Sequence, residues 1–123
     1  MTEELVTLET AKMLKEKGFN EPCMIAMNIE DGRQYGTNRT NSELPIKVCS
    51  HPTQSVAQKW LRETKNIHIC VYNCACGYGY EISKADNGTH IASSTYKGTN
   101  DGGGWDTYEE ALEAGIKECL KLI

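Results

Sequence analysis

The stretch Thr53–Tyr72, TQSVAQKWLRETKNIHICVY, changes its period at a single residue. Before Asn66, the residues Val56, Ala57, Trp60, Leu61 and Thr64 recur at i, i+1, i+4, i+5 and i+8, the spacing of a buried helical stripe. After it, Ile67, Ile69 and Val71 alternate with His68, Cys70 and Tyr72, the period of a half-buried strand. No linker separates the two, so helix and strand must pack in one unit. Pro52 suits the helix start, since its missing N–H is one that a first turn leaves unbonded anyway. Trp60 lies inside the stripe and reads as core, while Gln54, Gln58, Lys59, Arg62, Glu63 and Lys65 form the polar remainder.

Two more strands follow. Tyr78, Tyr80 and Ile82 share one face of a strand over about Tyr78–Ser83, and Asp86-Asn87-Gly88 turns the chain into a third, Thr89–Thr95. The glycine-rich GTNDGGGWD then leads to a last helix. There Thr107 and Glu110 stand at capping-box spacing, ahead of a stripe of Ala111, Leu112, Gly115, Ile116, Cys119, Leu120 and Ile123. Gly115 costs about 1 kcal/mol relative to Ala inside a helix, a cost tolerated if the helix crosses another backbone closely there.

Ahead of this set, Leu8, Ala11 and Leu14 mark a helix over Thr7–Lys17. Gly18 ends it in a left-handed cap, with Phe19 folded back on Leu14. A strand over Met24–Ile29 turns at Asp31-Gly32 toward a weaker return strand through Gln34 and Tyr35. Residues 36–43, GTNRTNSE, read as loop, and Leu44–Val48 as one brief strand. The expected fold is α+β. A mainly antiparallel three-stranded meander is flanked by two helices on one face (α-β-β-β-α), with an N-terminal helix and short hairpin added. A chain of 123 residues is expected to form a single domain, with 52–123 as the core unit and 1–51 as its extension.

Charge and cysteine usage restrict the function. The net charge of −4 gives no general attraction to nucleic acid or anionic membrane. Residues 33–65 are nevertheless basic, with Arg33, Arg39, Lys47, Lys59, Arg62 and Lys65 against Glu43 and Glu63, between acidic flanks. No apolar run approaches the ~18 residues of a spanning helix, and MTEELVTLET has neither the basic nor the apolar region of a secretory signal. The expected location is cytoplasmic, without membrane contact, with all six cysteines reduced and both Asn-x-Thr sequons (at Asn38 and Asn87) fortuitous.

Several chemistries lack their parts. His68, Cys70, Cys74, Cys76 and His90 are the only metal-ligand candidates, but Cys74-Ala75-Cys76 is too tight for the usual zinc knuckle and has no second pair. Cys49 with His51 offers a nucleophile and a base without an orienting third group, and no GxSxG elbow is present. Asp101-Gly102-Gly103-Gly104 lacks the Gly-Lys-Ser/Thr end of a phosphate cradle and reads as a flexible connection. Trp105 beyond it would pack over the sheet or helix start, or anchor a partner if exposed. Glu109 and Glu113 read as a solvated helix surface.

The order of residues 52–123 resembles the double-stranded-RNA-binding domain, which reads RNA by shape and draws on lysines at the start of its last helix. Here that place holds Asp106, Thr107, Tyr108, Glu109 and Glu110, so the resemblance is one of topology. The phrases LETAKMLKEKGF, TQSVAQKWLRETKNIHICV and TYEEALEAGIKECLKLI resemble a family of small uncharacterised proteins common in gut Bacteroides and their prophages and phages. That resemblance implies a phage-associated origin and supplies no catalytic residue or cofactor.

The expectation is therefore a non-enzymatic protein-interaction or accessory module, pairing with another protein or with itself. An alternative is a weak nucleic-acid binder using Lys59, Arg62 and Lys65, with Tyr72, Tyr78 and Tyr80 as a stacking surface if their sheet face is open. A Cys/His metal protein is the third reading.

Overall fold

The computed structural model describes residues 4–94, 97–100 and 102–123. The element order is α1 (Leu8–Glu16), β1 (Ile25–Asn28), β2 (Gln34–Gly36), β3 (Val48–Ser50), α2 (Gln54–Thr64), β4 (Ile67–Cys74), β5 (Gly77–Lys84), β6 (His90–Ser93) and α3 (Tyr108–Leu122). The fold is α+β, with a three-stranded antiparallel sheet flanked by helices and an N-terminal helix with a short hairpin. Two compact units divide the chain, Met1–Ala57 and Gln58–Ile123. The division falls inside α2, because the chain around its start is tied to the N-terminal segment. The Val6 N–H reaches the Pro52 carbonyl, the Gln54 N–H reaches Glu4, and Leu5 bridges Thr53.

In the first unit, α1 begins where the Thr7 hydroxyl accepts the Thr10 N–H. It ends in a Schellman cap: Gly18 sits at φ +92°, its N–H bonds the Lys15 carbonyl, and the Phe19 N–H bonds that of Leu14. The hairpin turn is wider than a two-residue turn. Only Gly32 takes positive φ, and the Asn28 carboxamide accepts the N–H groups of Glu30 and Asp31.

The brief third strand lies later than its expected place at Leu44–Val48. Pro45 fixes its φ and carries no donor, so residues 45–48 turn instead, with the Val48 N–H on the Pro45 carbonyl. Pairing starts at Val48 and adds β3 to the free side of β1, giving the order β2-β1-β3. The loop before it is fastened. Thr40 and Glu43 form a capping box around a helical turn at Asn41–Glu43, and these bonds hold the Glu43 carboxyl below the usual range. Asn41 is buried, giving its amide to the Phe19 carbonyl and accepting the Ser50 N–H.

In the second unit β4, β5 and β6 form an antiparallel meander. β5 is slightly longer than the expected Tyr78–Ser83. β6 is shorter than Thr89–Thr95, and Thr95 lies outside the described residues. The inner face of the sheet presents Ile69, Tyr80 and Ile82, all nearly inaccessible, and α3 packs on it through Ala111, Leu112, Ile116 and Leu120. Thr107 caps α3 by accepting the Glu110 N–H, as the spacing predicts. Gly115 meets side chains rather than a second backbone: a Cβ there would lie 3.0 Å from Ile69 Cγ2 and 3.3 Å from Tyr80 Cγ.

The close approach at Gly115 sets a prediction. Gly115→Leu should lower unfolding stability by about 1–3 kcal/mol through overpacking, despite its better helix propensity. Urea melts showing equal or greater stability would refute this account of the α3–sheet contact.

Candidate functional site

Register decides what each face of the second sheet displays. Cα partners lie on the same face, so His68, Cys70, Tyr72 and Cys74 of β4 stand with Ser83, Glu81, Gly79 and Gly77 of β5. His90 and Ser93 of β6 continue that face. Cys70, Tyr72, Cys74, Glu81 and His90 on it are exposed, and Tyr72 retains 39% of its accessibility. The helix α3 occupies the other side. Among the described residues this outer face holds no lysine or arginine, and its one carboxylate, Glu81, pairs with His90 Nδ1 at 3.2 Å.

The tip of the Tyr72 ring lies over a glycine. A Cβ on Gly79 would come within 2.6 Å of Tyr72 Cζ and Oη, so the ring fills the place of the missing side chain across the strand pair. The three tyrosines named as a stacking surface do not share a face. Tyr72 is on the outer side, whereas Tyr80 is 2% exposed in the core and Tyr78 meets Tyr108 edge-on at 6.2 Å. Alternation along a strand settles this: Tyr78 and Tyr80 share a parity, and register places Tyr72 opposite Gly79.

The glycine-rich loop is built against the β4–β5 turn. The Asn100 amide donates to the Cys76 carbonyl at 2.8 Å, and its Oδ1 accepts the N–H groups of Gly102 and Gly104. Trp105 pairs with Tyr78 through both backbone bonds, and its ring sits 5.7 Å from that of Tyr80. It is 8% exposed, so it packs on the sheet. A Cβ on Gly98 would collide with the Gly104 backbone and one on Gly104 with the Cys76 carbonyl, which is why glycine recurs here. The expected flexible connection is thus a fastened loop, though Asp101 lies outside the described residues. Between this loop and the turn runs a cleft of about 200 Å³, lined by Tyr72, Cys74, Cys76, Tyr78 and Ser94.

All six cysteines are free. Cys70, Cys74 and Cys76 are exposed, and Cys23, Cys49 and Cys119 are buried. Among the described residues no three His, Cys, Asp or Glu side chains come together in a way that could hold a metal ion. Cys49 and His51 do not form a nucleophile and base. Burial raises the Cys49 thiol above its ordinary value, against the opposing pull of Lys15 and Lys12. The His51 Nε2 bonds the Val6 carbonyl and its Nδ1 bonds the Gln34 amide, an arrangement the Nε2–H tautomer satisfies.

On α2, Trp60 is 6% exposed, and Lys65 Nζ lies 5.5 Å from its ring centroid. Lys59 faces Glu63 at 4.0 Å, so of the three basic candidates only Arg62 lacks a charged or aromatic contact among the described residues. In the first unit a shallow pocket of about 490 Å³ is lined by Ala26, Tyr35, Arg39, Leu44 and Val48, among others. Among the described residues no helix is long and apolar enough to cross a membrane. No protein-family model, curated protein or solved structure matches the chain.

Two predictions follow from the thiols. Iodoacetamide should modify Cys70, Cys74 and Cys76 in the native protein and reach Cys23, Cys49 and Cys119 only on unfolding. Fast native labelling of Cys49 or Cys119 would contradict their burial. The second concerns pH. Burial, assisted by the nearby Glu118, pushes the Cys119 thiol from 9.0 to about 12. A raised folded value means stability is intact below pH 9 and is lost as pH climbs toward 12, because the unfolded chain releases the proton first. Burial moves Tyr80 to about 12 and Cys23 to about 11, in the same direction. The raised Cys119 value amounts to about 4 kcal/mol at its upper limit. Denaturant midpoints should hold from pH 7 to 9 and fall above it, and a flat profile to pH 11 would disprove this.

Proposed function

We propose that the protein is a non-enzymatic interaction module, an accessory protein of phage or mobile-element origin, which contacts a partner protein through the outer face of the β4–β5–β6 sheet. The supporting observation is that face itself: exposed, almost uncharged, and centred on a tyrosine whose ring rests on Gly79. A rigid aromatic with two rotatable bonds makes contact area at low entropic cost, as is common at protein interfaces.

The absence of basic side chains on this face favours a protein over a polyanion, whose binding rests on neutralised phosphates. A nucleic-acid surface on α2 has less behind it, since Lys59 and Lys65 already have partners within the helix. Metal binding by His68, Cys70, Cys74, Cys76 or His90 finds no three-donor group to support it among the described residues.

Comparative affinity capture from host lysate tests the reading. Ser83→Glu adds a charge to the outer face on its central strand, and Arg62→Glu reverses the exposed charge of α2. A partner held by the wild type and by Arg62→Glu, but weakened at least tenfold by Ser83→Glu, is the expected result, since burying an unpaired carboxylate is costly. The opposite pattern, or a salt-sensitive gel shift with RNA or DNA that Arg62→Glu abolishes, would overturn it.

A further inference from the structure

Among the described residues, one side of the β4 backbone has no partner strand. On β5, Tyr78 exchanges both backbone bonds with Trp105, and Tyr80 bonds Ser94 through its carbonyl and its N–H. Both residues therefore point their backbone groups away from β4. The alternate residues Gly77, Gly79, Glu81 and Ser83 point toward it, so their partners Cys74, Tyr72, Cys70 and His68 carry the ladder bonds. Ile67, Ile69, Val71 and Asn73 must then direct their N–H and C=O groups outward. The Gln58 amide on the Ile69 carbonyl, at 2.9 Å, agrees with this. Among the described residues nothing takes up the outward groups of Val71 and Asn73.

Sheet edges in soluble proteins are usually short, charged, bulged or covered. β2 has three residues, and β6 has four with a register shift beside it. β4 has eight residues, with no lysine, proline or carboxylate among them. Its side chains also follow a symmetric pattern: on the outer face, Cys70, Tyr72 and Cys74 read the same in both directions. A two-fold contact requires such a self-complementary strand.

We infer that a second copy of this chain adds to the free edge of β4, antiparallel and centred on Tyr72, to make a two-fold dimer. In this register Val71 of each copy exchanges backbone bonds with Asn73 of the other, while the Ile69 carbonyl stays with Gln58. The two three-stranded sheets become one sheet across a β4–β4 seam. Tyr72 meets Tyr72 of the second copy on the axis, and no like charges oppose one another. Cys70 stands opposite Cys74 of the second copy in a non-hydrogen-bonded pair. Such pairs have Cα atoms about 4.5 Å apart, within the roughly 4.4–6.8 Å that a disulfide spans. The inference goes beyond the proposed function and stands without it, since it needs no foreign partner.

The test is sedimentation of the purified chain over a concentration series into the millimolar range, with brief oxidation by diamide. Diamide accepts the two electrons and two protons that a thiol pair releases. The expected result is a doubled mass that forms reversibly, with an intermolecular Cys70–Cys74 disulfide identified by peptide mass spectrometry. Tyr72→Lys, which sets two ammonium groups face to face on the axis, should return the chain to a monomer. Asn73→Pro, which removes an outward donor without touching the internal ladder, should do the same, with circular dichroism confirming that each variant is folded. A wild type that stays monomeric throughout overturns the inference. So does a dimer that survives both variants, or one whose only cross-links join Cys76 to Cys76 or Cys74 to Cys76.

Discussion

The second unit depends on one backbone angle. Asn66 is the only non-glycine at positive φ among the described residues, at +57°, and it stops α2 and starts β4 within one peptide. A left-handed conformation costs most residues about 1–2 kcal/mol; asparagine adopts it more readily because its short side chain can bond locally. Here the bonds reach further. The Asn66 carbonyl accepts the Ala85 N–H, and its Oδ1 accepts that of Asp86. The residue that ends the helix thus also holds the turn between β5 and β6, next to the Ile67–Lys84 pair that opens the ladder. Glycine would accept the angle but would lose the Asp86 bond.

Asparagine repeats this service elsewhere. Asn28 turns the first hairpin, Asn41 joins the backbone after α1 to β3, and Asn100 fastens the glycine loop to the β4–β5 turn. Each carboxamide supplies a donor or acceptor where short strands and tight loops leave backbone groups unpaired. Asn41 does so in a buried setting, where an unpaired group costs about 1–3 kcal/mol. Two compact units with strands as short as three residues hold their loops through these side chains, in addition to ladder length.

What the sequence revealed follows from how local each signal is. The α1 cap, the α3 start and the Asn66 switch lie within a few residues of the groups they bond, and periodicity located all three. Trp60 was legible as core because its stripe is local too. The place of β3 was not, because Pro45 and the pairing preference of β1 pull on the same segment in opposite ways. Tyr72 was grouped with Tyr78 and Tyr80 because parity across a hairpin depends on register, and Cys74-Ala75-Cys76-Gly77 leaves register open until Gly77 is seen at φ +109°. The glycine loop read as flexible because its contacts, from Asn100 to Cys76 and Trp105 to Tyr78, span more than twenty residues.

The same loop braces the outer face at its β4–β5 end. Gly77 has room for no side chain, since a Cβ would lie 2.5 Å from the Trp105 carbonyl, so the turn that ends β4 is clamped from behind. Tyr72, three residues before that turn, rests on Gly79 across the strand pair. A ring seated on a neighbouring strand gives up less rotational freedom on contact than an unsupported one. A surface preorganised in this way binds with less ordering cost than a mobile loop would. Glycine in the middle of a strand weakens a sheet, and here a cross-strand aromatic covers Gly79 and offsets that weakness. The residue pair that steadies β4 against β5 is therefore also the one that gives the open face its shape.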